Sequence, residues 1–199
     1  MVQIVFIRHG EKDRTQPSPH LDHKGKLRAK YLADYFLHPY GDFETPNFVF
    51  MMKLTKEGKS ERCWETMEPT IEKGKLDYEL TPRYNTHELA NYLSNNCDND
   101  ETLIVCWQYS RIVDMINLLG ASDVSAWGLS PECGHSDHNC FDATWVVDLD
   151  TNTLKLRVYR QFDIVDDKPH YIVPRTQALF EKEYTRTHTC FGPTLCTIM

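Results

Sequence analysis

The stretch VQIVFIRHGEK, Val2–Lys12, decides how the rest of the chain is read. Val2–Ile7 is short, apolar, rich in β-branched residues and closed by Gly10, which predicts a buried strand. The strand then runs straight into Arg8-His9-Gly10-Glu11. A cation and an imidazole are delivered to its end, and a glycine follows to let the backbone turn. A strand end meeting solvent explains such a quartet taken alone, so the remaining sequence has to decide.

Outward from this strand, Arg14–His20 carries two prolines and no periodicity, which predicts a loop. Asp22 is the expected N-cap of a helix to about Phe36, with Leu27, Tyr31, Leu32, Tyr35 and Phe36 on one face. Phe48–Met52 reads as a second buried strand, Lys53–Lys59 as a polar loop, and Ser60–Lys73 as a helix ended by Gly74. A short strand at Leu76–Leu80 and a helix at Asn85–Leu93 follow. Thr102–Trp107 reads as a third core strand, and Arg111–Leu119 as a helix capped by Gly120. Ala143–Leu149 and Leu154–Tyr159 flank Asp150-Thr151-Asn152-Thr153 as a hairpin.

Strand and helix alternate over the first 120 residues and a hairpin follows. That order predicts an α/β fold: a three-layer α/β/α sandwich with a mostly parallel sheet and an antiparallel edge hairpin. Residues 1–165 are expected to form one domain, with 166–199 as a C-terminal extension that loses periodicity toward an extended tail.

Composition bounds the function. The 199 residues suffice for one full-sized domain, and 41% hydrophobic with 26% charged residues is ordinary for a globular protein. A net charge of −7 argues against a nucleic-acid-binding surface but leaves room for a local basic pocket. No apolar run approaches the roughly 20 residues of a spanning helix, and the N-terminal apolar segment is too short for a signal peptide. Seven cysteines, an odd number, in a chain of this size predict free thiols in a reducing, cytoplasmic compartment.

In parallel α/β sheets, ligands gather at the carboxyl ends of strands. Three loops leave such ends here, and together they offer Arg8, His9, Arg62 and Arg111, a concentration of cations in an acidic chain. Phosphoryl transfer through histidine needs these groups. A neutral imidazole attacks phosphorus, guanidinium forks spread the charge on the oxygens, and an acid protonates the leaving group.

With these residues in view, the chain resembles the histidine phosphatase (phosphoglycerate mutase-like) superfamily over roughly residues 2 to 160. The strand-R-H-G-E element is met by Val5–Lys12, and Leu21, Gly25, Arg28 and Ala29 fit the start of the first helix. Ser60-Glu61-Arg62-Cys63-Trp64-Glu65-Thr66-Met67-Glu68-Pro69 matches the segment that carries the second arginine. The resemblance implies that His9 is phosphorylated, that Arg8 and Arg62 clamp the phosphate, and that Glu88 donates the proton. It implies no metal and no cofactor. A mutase is not expected, because nothing suggests the insertions that hold a bisphosphorylated intermediate.

One part of the pattern is missing. The family carries a second histidine at the end of a later strand, where this chain reads Ile104-Val105-Cys106-Trp107-Gln108-Tyr109-Ser110-Arg111. In one register Tyr109 stands in its place, in the other Trp107. A tyrosine phenol donates a hydrogen bond but carries no positive charge at neutral pH. The loss of one charged donor costs about 100-fold in rate. Arg111 is a candidate to lend the missing charge.

Two expectations therefore stand side by side: a slowed phosphomonoester hydrolase acting on a phosphorylated small molecule or phosphoprotein, or a pseudophosphatase that binds such a partner without turning it over. Retention of His9 favours the first.

Cys133, His135, His138 and Cys140 are zinc-compatible ligand types, but their spacing matches no usual knuckle, and a polar loop is expected instead. The chain ends Cys196-Thr197-Ile198-Met199, a C-a-a-X box of the kind read by farnesyltransferase. In a cell with that enzyme it predicts a lipid on Cys196 and attachment to the cytoplasmic face of a membrane. Cys190 is the candidate for the second anchor that one prenyl group requires. Oligomeric state is open.

Overall fold

A computed structural model describes residues 1–13, 15, 18–38, 43–53, 61–82, 85–96, 100–121, 141–171, 178 and 180–186. Its elements run β1 (Val2–Arg8), α1 (His23–Leu37), β2 (Phe48–Met52), α2 (Arg62–Gly74), β3 (Asp77–Thr81), α3 (Thr86–Asn95), β4 (Thr102–Trp107) and α4 (Tyr109–Leu118). Five further strands follow: β5 (Ala143–Leu149), β6 (Thr153–Arg160), β7 (Asp163–Val165), β8 (Lys168–His170) and β9 (Phe180–Thr185).

Seven strands form one sheet in the order β3-β2-β4-β1-β5-β6-β9, and β7 pairs with β8 in a separate hairpin. β3, β2, β4 and β1 are parallel, while β5, β6 and β9 continue the sheet antiparallel. The first two crossovers step away from β1 and the third steps back. With right-handed connections this sends α1 and α2 to one face and α3 to the other, where α4 joins it. Each pair packs together accordingly.

β1 is flanked by β4 and β5 and covered on both faces, so Ile4, Val5, Phe6 and Ile7 lose all exposure. This is the physical reason that its sequence is a continuous apolar run rather than an alternation.

Several details differ from the sequence expectation. The buried face of α1 is Gly25, Arg28, Ala29, Leu32, Ala33, Tyr35 and Phe36, with Leu27 and Tyr31 only half-buried. An arginine takes a core position there because it finds a buried carboxylate. The left-handed residue after α2 is Lys75 (φ 51°), not Gly74, whose missing side chain instead makes room for Leu37. α4 begins at Tyr109, so Tyr109 and Arg111 both lie on its first turn.

The β5–β6 hairpin does not close the sheet. β9, from the segment expected to be an extension, pairs with β6 and forms the edge. Its alternation of Glu181, Lys182, Glu183 and Tyr184 is a half-exposed strand pattern, with charged side chains that suit the last strand of the sheet among the described residues.

Among the described residues no helix is long and apolar enough to cross a membrane.

Candidate active site

β1 and β4 are neighbours, and the chains leaving them turn to opposite faces of the sheet. In α/β sheets such a topological switch point is where ligand crevices form, at the carboxyl ends of the two strands. Arg8 and His9 leave one end, and Trp107, Gln108 and Tyr109 leave the other.

The turn after β1 is tied down on three sides. The His9 amide donates to the Trp107 carbonyl at 3.2 Å, which extends the β1–β4 ladder past its last pair. The Gly10 amide donates to Thr66 Oγ1 at 2.9 Å, and that hydroxyl donates to the Arg62 carbonyl at 2.6 Å. One buried threonine thus joins the histidine loop to the turn of α2 that carries the second arginine. Glu65, next to it, accepts the Leu21 amide at 2.6 Å. These bonds bring Arg8, His9 and Arg62 together at 8%, 4% and 8% exposure.

The His9 ring is held in one tautomer. Its Nδ1–H donates to the Gly10 carbonyl at 2.8 Å, which leaves the lone pair on Nε2. Burial pulls its pKa down from 6.5 to about 3, against the pull of the Gly10 bond, and the positive charges of Arg62, Arg8 and Lys12 act in the same direction as burial. The imidazole is therefore neutral at physiological pH, the form that can attack an electrophile. The Arg8 guanidinium stacks 4.2 Å from the centroid of the Phe141 ring, which also lies 6.0 Å from the His9 ring. Burial lowers the Arg62 pKa, with Glu65 among the groups that pull it back up, and an arginine so placed stays charged.

The other expected residues are placed differently. Tyr109 is half-buried with its ring 5.9 Å from that of Trp145. Arg111 is exposed and paired with Asp114 at 3.0 Å along the surface of α4. Glu88 is exposed on the first turn of α3. Cys133, His135, His138, Cys140, Cys190 and Cys196 lie outside the described residues. Among those that are described, His20, Glu61 and Glu65 have ligand atoms within 4.8 Å of one another, but His20 Nδ1 already bonds Glu65 at 2.5 Å.

Sequence reasoning missed two contributors. Thr66 was visible only as part of the second-arginine segment, and its double hydrogen bond has no sequence signal. Phe141 follows a long segment without periodicity, and nothing in sequence links it to Arg8.

No family model matches the chain, and neither does any curated protein. Among solved structures, a provisionally assigned phosphohistidine phosphatase, SixA, from Agrobacterium tumefaciens aligns over 78% of this chain and 94% of its own. Its TM-score is 0.53 at 13% identity. The fold is phosphoglycerate mutase-like. A second provisionally assigned SixA, from Nakamurella multipartitia, aligns over 73% of this chain and 83% of its own, with a TM-score of 0.45 and 13% identity. At such identity the likeness to the first structure establishes a shared fold, and the chemistry has to be argued from the residues.

Proposed function

We propose that the chain is a histidine phosphatase: a metal-independent phosphomonoester hydrolase in which His9 Nε2 receives the phosphoryl group. The observation that carries this reading is the pairing of a buried, neutral, tautomerically fixed imidazole with two buried guanidinium groups.

In this reading Arg8 and Arg62 bind the phosphate oxygens. The positive charges that add to burial in keeping the imidazole unprotonated are then offset by the substrate. As the Nε2–P bond forms, the bond from phosphorus to the leaving oxygen breaks. The ring gains positive charge, which the Gly10 carbonyl on Nδ1–H stabilises. The proton for the leaving oxygen is assigned to Glu88. Water then attacks phosphorus and gives its proton to the Glu88 carboxylate as the Nε2–P bond breaks, which releases inorganic phosphate and regenerates neutral His9 and the acid. Tyr109, in place of a second histidine, supplies a neutral donor, so turnover is slow. The substrate class is a phosphorylated small molecule or a phosphoprotein.

The test is turnover of an aryl phosphate by the chain and by its His9→Ala variant, with acid-quenched samples probed for an acid-labile phosphoenzyme. The expected result is activity and phosphoenzyme in the parent and neither in the variant. Equal rates in the two, with phosphate still bound, would leave the pseudophosphatase reading in its place.

A further inference from the structure

Glu11 completes the opening motif, yet a carboxylate two residues from the nucleophile is the wrong charge for a phosphate site. The structure shows where that charge goes. Arg28 Nε donates to both Glu11 oxygens, at 3.1 and 2.9 Å, and Arg28 Nη2 donates to Oε1 at 2.6 Å. Arg28 Nη1 is in turn held by the Phe162 carbonyl at 2.7 Å. The pair is buried, with Arg28 at 2% and Glu11 at 9% exposure.

The backbone is built to allow this. The Asp22 amide donates to the Glu11 carbonyl at 3.0 Å, and a side chain at Gly25 would meet that carbonyl oxygen at 2.3 Å. Gly25 thus lets the first turn of α1 lie directly on the Gly10–Glu11 backbone, which brings Arg28, one turn later, into reach of the carboxylate.

We infer that Arg28 is a positioning residue whose fork sequesters the Glu11 carboxylate from the phosphate pocket, leaving Arg8 and Arg62 as the charges that an incoming phosphate meets. The inference rests on the phosphatase reading only in placing phosphate at Arg8 and Arg62. A bidentate fork suits the task, because two parallel bonds fix the carboxylate's plane as well as neutralise it. Without it, Glu11 becomes an unpaired anion beside the nucleophile loop.

Titration of inorganic phosphate, read by calorimetry, tests this in Arg28→Gln, Glu11→Gln and the double variant, each first checked for a native near-ultraviolet spectrum. The expected result is about tenfold weaker phosphate binding in Arg28→Gln, the effect of one uncompensated charge several ångströms away. Glu11→Gln is expected to bind as tightly as the parent or better. Adding Glu11→Gln to Arg28→Gln is expected to restore affinity to within a few-fold, and with aryl phosphate the loss and rescue are expected in KM rather than kcat.

A merely structural role predicts the opposite: Glu11→Gln weakens binding like Arg28→Gln, and the double variant is no better than either. That pattern would overturn the inference, as would an Arg28→Gln protein that fails to fold alongside a folded Glu11→Gln protein that binds phosphate poorly. A parent that binds no phosphate would overturn the phosphatase reading together with it, whereas a parent that binds phosphate without turnover leaves this inference standing.

Discussion

The two strand ends that meet at the crevice are built on different plans. The β1 end is over-determined: His9, Gly10 and Glu11 are each fixed by a backbone or side-chain bond to β4, α2 or α1, and its cations are buried. Among the described residues, the β4 end shows no comparably buried cation. Trp107 is buried, Tyr109 is neutral and half-buried, and Arg111 is exposed with its charge spent on Asp114. The difference teaches that, among the described residues, the buried cations of the crevice lie on one wall. Among the described residues, the opposite wall presents Trp107 and Tyr109.

The sharpest way to break this comparison is to remove charge from the strong wall. Arg62→Ala is expected to lower kcat/KM for an aryl phosphate by about 10³-fold, the scale of losing a pre-organised charged donor. Arg62→Lys is expected to recover only part of this, since an ammonium cannot reproduce the planar fork. Steady-state kinetics on both variants decides. A loss of less than tenfold in Arg62→Ala would mean that the wall is not where phosphate binds.

The weak wall is probed by the reverse operation. Tyr109→His adds a donor that can carry charge, and a gain of about 10- to 100-fold in kcat is expected. Arg111→Ala, by contrast, is expected to change activity less than twofold, because its guanidinium sits in a solvent-exposed pair on the helix surface. If Arg111→Ala proved the more damaging of the two changes, the charge would be reaching the crevice from this side after all.

The same asymmetry explains what could be read from sequence. The strong wall was legible because its residues sit in contiguous motifs at a strand end and a helix start. Arg8, His9 and Arg62 are brought together as the order of elements implies. The helix after β4 was expected two residues late: α4 begins at Tyr109, and Arg111 on its first turn pairs with Asp114. Arg28 was noted only as part of the first-helix motif, because periodicity does not count a charged side chain as core and cannot see the buried carboxylate waiting for it. β9 was invisible for a similar reason, since an edge strand with one exposed face carries too few apolar residues to stand out in a segment without other periodicity. The central parallel strands β1 and β4, buried along nearly their whole length, left no such ambiguity.

The gentlest probe of the strong wall is pH. His9 has a folded-state pKa of about 3 against an ordinary 6.5, so between those values the unfolded chain binds a proton that the folded chain refuses. Stability contributed by the neutral ring is therefore complete above about pH 6.5 and falls as the pH drops toward 3, at no more than roughly 1.4 kcal/mol per unit. His9→Gln has no such proton to refuse, so the difference in unfolding free energy between parent and variant is expected to narrow on acidification from pH 7 to 5. Denaturant melts at several pH values measure it, and imidazole NMR signals that stay in the neutral form down to pH 5 give a direct check. A parent whose His9 titrates near 6.5 would place water in the site, and the strong wall would then be strong in charge but not in burial.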